Sequence, residues 1–393
     1  MSLGLEKEDF GPITQLSRGG GCNACHLNYS DEAKSDLKTY LSSKDKLPEH
    51  HPSTDIFVTN EHCFGCHSRS SRISTSYEGW HETLLDEEDI TNTSDYRVLE
   101  DKRVYSKQEA DVHHSKGLLC IDCHSSHEVM GNGKSYLHEE QAVTLQCSDC
   151  HFKEKPNTIP FDSLDTESRL VFLHRSYTHT DKPIIKVEKD GHPLVNTYID
   201  SLGNAFLIGK KDKTIYELKP QSDICSRDNA HKDVNCSTCH TSWAPKCIGC
   251  HNSFDKNETN TYDLLDRKYT DKGQWKEYVA EFSTSKPALG VRENKDGKHI
   301  EPAVPGMILT IDHGSYAGLE EGEDVNFHRL FAPNAPHTTT KAVRDCKSCH
   351  ANPYSLGYGS GTLNFDENGK WTFTATYALN ENDNLPEDAW IPF

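Results

Sequence analysis

The segment Cys236-Ser-Thr-Cys-His240-Thr-Ser-Trp-Ala-Pro-Lys-Cys247-Ile-Gly-Cys-His251 contains one five-residue pattern, Cys-x-x-Cys-His, twice, with starts 11 positions apart. The chain has seven copies of this pattern, which use 14 of its 15 cysteines. Chance would give about 0.03 copies in a chain of this composition, so the repetition decides how the chain is interpreted. In chain order the copies are Cys22, Cys25 and His26; Cys63, Cys66 and His67; Cys120, Cys123 and His124; Cys147, Cys150 and His151; Cys236, Cys239 and His240; Cys247, Cys250 and His251; and Cys346, Cys349 and His350.

This spacing is the attachment signature of c-type haem. The two thiols form thioethers with the two vinyl groups on one edge of a porphyrin, and the adjacent His binds the iron from one face. A zinc site does not demand His directly after every second Cys, and a thioredoxin-like pair occurs singly in a βαβ context. The sequence therefore predicts seven haem c groups, with the seven motif His as proximal iron ligands.

The sixth iron ligand decides whether a haem carries electrons or binds a substrate. Besides Met1 there are only Met130 and Met307, whereas 16 His lie outside the motifs. We therefore predict mostly bis-His, low-spin, low-potential haems. Some candidates precede a motif and are expected to serve a neighbouring haem. The distal candidates are His51, His113, His138, His174, His179, His231, His313 and His337, with His62, His81 and His127 as weaker ones.

The composition leaves little material for an ordinary apolar core. Only 34% of the 393 residues are hydrophobic, the mean hydropathy is −0.75 and the formal net charge is −19. We expect the haems themselves to form the interior. The acidic surface and the absence of a Lys/Arg-rich tract exclude a nucleic-acid partner and favour basic redox partners, cationic surfaces or mineral oxides.

The motif spacing predicts four regions: a four-haem region at 1–155, a haem-free β-rich insertion at 156–224, a three-haem region at 225–350, and a haem-free tail with a β-hairpin at 351–393. Together they are expected to form one compact unit. Hairpins are predicted within 183–219 and around Asn368-Gly369, and short helices around the motifs and at 31–42 and 266–282. The expected fold is a loop-rich multihaem cytochrome c fold, mainly short α-helices plus a few β-hairpins.

No segment approaches the run of about 18 apolar residues that a membrane-spanning helix needs, and residues 1–9 lack the apolar region of a signal peptide. Because c-type haem is attached outside the cytoplasm, a secretion signal is expected in the gene, and Met1 is interpreted as belonging to a mature or recombinant form. The predicted location is the periplasm or the cell surface.

The surroundings of the motifs resemble those of large multihaem cytochromes from anaerobic, metal- and sulfur-respiring bacteria. The resemblance spans most of the chain and implies extracytoplasmic respiratory electron transfer, without naming a substrate. The broader superfamily includes octahaem tetrathionate, nitrite and sulfite reductases and pentahaem nitrite reductases. This chain differs from several of them, since it has seven standard motifs rather than eight and lacks the Cys-x-x-Cys-Lys of ammonia-forming nitrite reductases. The similar segments are Cys66-His-Ser-Arg-Ser-Ser-Arg-Ile, Gly117-Leu-Leu-Cys-Ile-Asp-Cys-His with Glu128-Val-Met-Gly, Cys236 to His251, and Pro336-His-Thr-Thr with Asp345-Cys-Lys-Ser-Cys-His.

Cys225 is the cysteine outside the motifs. It is interpreted as an ordinary buried thiol, as a group at a haem or substrate site, or as an intermolecular link or atypical haem attachment. The leading hypothesis is an electron-transfer protein that serves other cytochromes, quinol-linked donors or extracellular acceptors. The alternative is a multihaem reductase of a small sulfur or nitrogen oxyanion with one open haem site, where Cys225 would handle substrate. A homo-oligomer or filament stays open.

Overall fold

A computed structural model describes residues 22–68, 73–99, 102–131, 133–136, 139–226, 231–247, 249–263, 268–279, 282–294, 297–352, 355, 361–365, 367 and 369–375. These residues form two discontinuous compact units. The amino-terminal unit combines residues 22–66 with His113–Lys232, and the carboxy-terminal unit combines His67–Val112 with the residues from Asp233 onward. These unit boundaries lie at other positions than the region boundaries at 155, 224 and 350, and the four regions in one compact unit stay a prediction.

Helices in the amino-terminal unit are short. The longest, Asp31–Ser43, begins where the Ser30 side chain accepts the Ala33 N–H at 3.2 Å and ends at Lys44 in the left-handed region, which confirms the helix predicted at 31–42. The Asn60–His67 helix runs across the boundary between the units. The other helical segments are Asn23–His26, His114–Lys116 (3-10), Cys120–Cys123, Ser126–Val129, Glu139–Ala142, Cys147–Cys150, Phe161–Ser163 (3-10), Thr166–His174 and Asp223–Ser226 (3-10).

The strands of this unit lie mostly in the segment between the fourth and fifth motifs. Thr197–Ile199, Ala205–Ile208 and Ile215–Leu218 form an antiparallel three-stranded sheet, so the second predicted hairpin is confirmed. The first differs from expectation. Ile184–Ile185 pairs with Thr158–Ile159, and a single bridge, Lys186 to Pro193, closes the predicted hairpin. A separate pair joins Leu27–Asn28 to Ser53–Thr54.

Buried apolar residues are concentrated in this haem-free segment. Among the described residues, 11 of the 21 buried hydrophobic side chains lie within 156–224. Nine of them form two clusters, one around Phe172 and Ile184 and the other around Ile185 and Leu194, with Cys150 packed against the second. The segment therefore folds around side chains of its own, and the fourth motif packs onto it.

The carboxy-terminal unit is richer in strands than the sequence suggested. Its largest sheet has five strands in the order Gln274–Val279, Gly249–Asp255, Gly297–Asp312 and Ala288–Asn294, with Val325–Pro333 also paired to Gly297–Asp312. The other sheets are Trp80–Glu82 with Val104–Lys107 and Tyr96–Val98, Ala244–Cys247 with Phe282–Ser285, Thr261–Asp263 with Lys268–Thr270, and Gly361–Phe365 with Trp371–Ala375. Its remaining helical segments are Ile73–Tyr77, Glu87–Asp89 (3-10), Cys236–His240, Gly314–Ala317 and Cys346–His350.

The helix predicted at 266–282 is wrong. The described part of this stretch forms the strands Lys268–Thr270 and Gln274–Val279, separated by a turn at Gly273 with φ +100°. Trp275 and Tyr278 favour a strand, and a Gly in this backbone conformation interrupts a helix. The hairpin predicted around Asn368-Gly369 is confirmed by the pairing of Gly361–Phe365 with Trp371–Ala375. Within the described parts of the chain, no helix is both long and apolar enough to cross a membrane.

Gly79 and Gly318 provide a matched test of this packing, because both have φ +84° and both lie in the carboxy-terminal unit. A Cβ at Gly79 would lie 2.8 Å from the Ala110 backbone N, whereas nothing lies within 4 Å at Gly318. Gly318→Ala is expected to cost about 1 kcal/mol of unfolding free energy for the left-handed backbone alone. Gly79→Ala should cost at least about 1 kcal/mol more, measured by guanidinium unfolding. Equal losses would contradict this packing.

Candidate functional site

Six of the seven motifs contain a helical turn, as the sequence predicted. They lie in or beside the helices Asn23–His26, Asn60–His67, Cys120–Cys123, Cys147–Cys150, Cys236–His240 and Cys346–His350. In three of them the N–H of the motif His donates to the carbonyl of the first motif Cys, at 3.0, 2.9 and 2.8 Å for His26, His124 and His151. Since residues three and four apart share one side of a helix, this turn puts both thiols and the imidazole on the same face.

In four motifs the first cysteine is exposed and the second is partly buried. The partly buried cysteines are Cys25, Cys150, Cys239 and Cys349. In the first motif the Cys25 N–H donates to Cys22 O at 3.3 Å, which closes the turn. Cys349 lies in the Cys346–His350 helix, where the Asp345 carboxylate accepts the Ser348 N–H at 2.7 Å. The two thiols of each of these motifs therefore differ in their access to solvent.

The sixth motif, Cys247–His251, differs from the others, and the short helix predicted around it is wrong. Cys247 ends the strand Ala244–Cys247, whereas Cys250 and His251 belong to the strand Gly249–Asp255. Cys250 pairs with Val279 on one side and with Leu309 on the other. Because this pairing with distant strands fixes an extended backbone, Cys250 does not share a helical turn with Cys247. The side chains of this motif lie outside the described residues, and haem attachment stays a prediction here as at the other six motifs.

The rings of four motif His are oriented in the same way. Nδ1 of His26 lies 2.8 Å from Asp55 O, Nδ1 of His151 lies 2.8 Å from Lys219 O, and Nδ1 of His240 lies 3.1 Å from Thr340 O. In His124, Nδ1 lies 2.8 Å from the Glu128 carboxylate. Because these oxygens can only accept, Nδ1 is the donor in each contact, and in a neutral ring the lone pair then lies on Nε2. This is the tautomer that a metal-binding imidazole needs.

Among these four acceptors, Glu128 is the one that contributes an ionisable carboxyl group. Burial of its carboxyl would raise its pKa, but hydrogen bonds from the His124 ring and from the N–H groups of Leu145 and Thr144 outweigh burial and lower the pKa to about 2. The buried carboxylate therefore stays ionised and fixes the orientation of the His124 ring.

Asp122 and Asp149, each directly before the second Cys of its motif, anchor the third and fourth motifs. Both are buried, and each accepts a 2.7 Å hydrogen bond from the N–H of the residue before its motif. The second carboxylate oxygen reaches the strand-rich segment. Asp122 accepts the Lys210 N–H at 2.7 Å, and Asp149 accepts the Glu188 N–H at 2.9 Å. The haem-free segment thus holds both motifs in place.

Burial raises the pKa of both aspartates, although the backbone donors oppose this effect. Lys210, beside Asp122, is also buried; burial lowers its pKa to about 8 and the Asp122 carboxylate opposes that shift. The Lys210 ammonium group bonds to Ile121 O, which adds a further tie between the third motif and the sheet.

The fifth motif, in the carboxy-terminal unit, is held by a residue at the same position but through a different hydrogen bond. Thr238, at the equivalent position, is buried and donates to Ile300 O at 3.0 Å. The segment that precedes the seventh motif closes over it, because Thr340 N–H donates to His240 O at 2.7 Å and Arg344 N–H donates to Cys239 O at 3.1 Å. The fifth and seventh motifs are therefore neighbours.

The second, third and fourth motifs also come together. The thiols of Cys63 and Cys120 share a hydrogen bond, which lowers the pKa of Cys63 and raises that of Cys120. Burial and then the nearby Cys123 raise the pKa of Cys150. The third motif is thus hydrogen-bonded to the second through its thiol and lies near the fourth.

The structure shows no disulfide among the 12 cysteines whose side chains it describes. Within the described residues, no three His, Cys, Asp or Glu side chains converge on a point that could hold a metal ion.

Several sequence candidates for the distal position are engaged elsewhere. Nε2 of the buried His179 lies 3.2 Å from Val195 O and burial lowers the pKa of the ring, whereas its Nδ1 is buried with no hydrogen-bond partner among the described residues. Both ring nitrogens of His62 are hydrogen-bonded, to Leu27 O and to Thr59. Nε2 of His127 lies 3.1 Å from the Ser168 hydroxyl.

The other candidates occupy varied places. His51, His174 and His231 are exposed, and His138 lies outside the described residues. His81 is buried and meets the Trp243 ring edge-on, with centroids 6.0 Å apart. His313 contacts Trp275, and Nδ1 of His337 lies 2.7 Å from Ala335 O.

His113 is the distal candidate that lies against a motif His. Its ring centroid is 6.2 Å from that of His151, with an angle of 51° between the rings. The sequence predicted that His113 serves a haem other than the one next in sequence, and His151 belongs to the motif after that one. Nδ1 of His151 is already engaged by Lys219 O.

Cys225 is exposed in the Asp223–Ser226 turn, so the prediction of a buried thiol is wrong. Its N–H donates to Ser222 O at 2.9 Å. The chain just before it contacts the fourth motif, because Gln221 N–H donates to Phe152 O at 3.1 Å.

Comparisons with known protein families, with characterised proteins and with solved structures give no match to this chain. The interpretation therefore depends on the motifs and on the geometry described above.

Sequence reasoning missed the residues that hold the motifs. The position directly before the second motif Cys is occupied by Asp122, Asp149 and Thr238. The two aspartates at this equivalent position were a signal from which a shared role could have been predicted. Glu128 stands four residues after His124, a helical spacing that also predicts a contact.

Glu128→Gln tests the His124–Glu128 contact. A carboxyl whose folded pKa is about 2, against an ordinary 4.5, stabilises the fold fully above pH 4.5 and loses that effect as pH falls towards 2. The guanidinium midpoint of the variant should lie below that of the unchanged protein near neutral pH, and the difference should shrink between pH 4.5 and 2. The exposed Glu154→Gln is the control, expected to show no difference. A deficit in Glu128→Gln that is independent of pH would contradict the assignment.

Proposed function

We propose that this chain is a multihaem c-type cytochrome that transfers electrons through seven covalently bound, mostly bis-His haems. The observation that carries the proposal is the arrangement of His113 and His151. Two imidazoles bound to opposite faces of one iron, each through a bond of about 2.0 Å, have ring centroids about 6 Å apart. The observed separation is 6.2 Å.

The motif turns support haem attachment. Two thiols three residues apart on one helical face can reach neighbouring positions on one porphyrin edge, and the adjacent imidazole then lies under the ring. The described cysteines are not in disulfides, and four motif imidazoles have Nδ1 engaged by an acceptor. When bound, haem supplies one-electron oxidation and reduction at its iron.

The chain itself holds the motif turns in place and orients the motif imidazoles. Asp122 and Asp149 fix the third and fourth motif turns against the sheet, and Glu128, Lys219 and Thr340 orient motif imidazoles. The acceptor oxygens make the imidazoles better electron donors and favour a low potential.

Neighbouring motifs within each unit support a route for electrons inside that unit. In the amino-terminal unit the thiols of Cys63 and Cys120 share a hydrogen bond, and Cys123 is near enough to Cys150 to raise its pKa. In the carboxy-terminal unit, backbone hydrogen bonds join the fifth motif to the segment that precedes the seventh. Groups attached at such adjacent edges are close neighbours.

The proposed setting is extracytoplasmic anaerobic respiration, in the periplasm or at the cell surface. The net charge of −19 favours partners with basic surfaces, such as other cytochromes, or extracellular acceptors.

Low-temperature EPR of the oxidised protein, with spins integrated per haem, tests the proposal. Capped haems give only low-spin signals. One high-spin haem in seven that responds to sulfite, nitrite or hydroxylamine would instead favour the reductase, with that haem as its active site.

His113→Ala should convert one haem, the one attached at Cys147 and Cys150, from low-spin to high-spin. The expected change in the integrated high-spin signal is one iron per chain. His50→Ala is the matched control, because His50 is exposed and its Nδ1 pairs with Asp36 at 2.9 Å. If both variants give the spectrum of the unchanged protein, His113 does not bind this haem iron, and the His113–His151 arrangement no longer supports the proposal.

A further inference from the structure

Three aromatic side chains form an exposed group in the carboxy-terminal unit. We call Phe254, Trp275 and Tyr316 the aromatic platform. Its ring centroids lie 5.5 Å apart for Phe254 and Trp275, 5.1 Å for Phe254 and Tyr316, and 5.7 Å for Trp275 and Tyr316. Trp275 is 40% exposed and Tyr316 is 64% exposed. Phe254 meets both rings edge-on, so it supports them while much of each ring stays open to solvent.

The backbone builds this platform. Phe254 and Trp275 are directly opposite in an antiparallel pair of strands, which places them on one face of the sheet. Tyr316 lies in the Gly314–Ala317 helix. Two glycines permit the approach. A Cβ at Gly273 would lie 2.6 Å from the Phe254 ring, and one at Gly314 would lie 2.1 Å from Glu320 O. The aromatic contacts are therefore built into the fold.

An acidic loop lies beside the platform. Its carboxylates, Glu320, Glu321, Glu323 and Asp324, belong to exposed residues, and the stretch 313–324 contains no Lys or Arg.

Hydrogen bonds pin this loop to the platform. Asp312 accepts N–H groups from Gly314 at 2.8 Å and from Gly322 at 2.7 Å. The His313 N–H donates to Asp324 O at 2.7 Å, and the His313 ring lies 5.6 Å from that of Trp275. The negative charge and the open rings thus belong to one surface.

We propose that the aromatic platform and its acidic loop bind a planar aromatic cation. The face of an aromatic ring attracts cations, and a planar cation can stack on Trp275 and Tyr316 while its charge is balanced by the carboxylates. The same carboxylates disfavour an anionic aromatic molecule. The site does not depend on the proposed electron-transfer function, because binding requires no electron to move.

Isothermal titration of the complete oxidised protein with methyl viologen dication, at low ionic strength, tests the proposal. Trp275→Leu and Tyr316→Leu are each expected to weaken binding by about fivefold or more. Tyr316→Phe, which keeps the ring, should bind as the unchanged protein does. Tyr269→Leu is the matched control, since Tyr269 is 50% exposed in the same unit outside the platform.

Two further comparisons separate the components of the site. The double variant Glu320→Gln with Glu321→Gln keeps every ring and should weaken binding while flattening its dependence on salt. Neutral 4,4′-bipyridine and tetramethylammonium, which supply the plane and the charge separately, should each bind more weakly. Unchanged binding in both leucine variants, or equal binding of either single-feature probe, would overturn the proposal.

Discussion

Two buried carboxylates connect the chemistry-bearing turns of the amino-terminal unit to its folded core. Asp122 and Asp149 each accept one hydrogen bond from the residue that precedes their own motif and one from a strand-rich segment far along the chain. A four-residue helix has almost no stability by itself. The geometry of the helix persists because the aspartate binds both the amino end of the helix and the neighbouring strand-rich segment. The placement of thiols and imidazoles on one face depends on this interaction.

This arrangement gives the segment 156–224 a defined role. It contains 11 of the 21 buried hydrophobic residues among those described, and it contributes Lys210 and Glu188 as backbone donors and Lys219 as a backbone acceptor. The motifs themselves contribute few apolar side chains. A conventional core therefore lies beside the motifs and supports them, and the proposed haems would supply the remaining apolar contacts.

Particular elements show how far the sequence could predict this structure. The helix at Asp31–Ser43 has a serine cap at its start, and the hairpin Ala205–Leu218 alternates around a polar turn, so local rules found both. The stretch 266–282 misled those rules, because its charged residues suit a helix and only the turn at Gly273 and pairing with the distant strand Gly249–Asp255 fix it as a strand.

Prediction of the candidate site from the sequence was limited in the same way by contacts between distant residues. The seven motifs were readable from spacing alone, whereas the extended backbone at Cys250 depends on strands far along the chain. The His113–His151 contact joins residues 38 positions apart and depends on how the third and fourth motifs pack. His179 and His62 could not be separated from other spare His by sequence, since Nε2 of each contacts a backbone oxygen 16 or 35 positions away.

The central claim is that the motif cysteines are bound covalently to haem, and intact mass combined with thiol counting tests it most directly. Thioethers survive denaturation and reduction, whereas a thiol or a disulfide then becomes alkylated. The account predicts seven haem additions and one alkylated cysteine, Cys225, among the 15 in the chain. A haem-free chain with all 15 cysteines alkylated would contradict it.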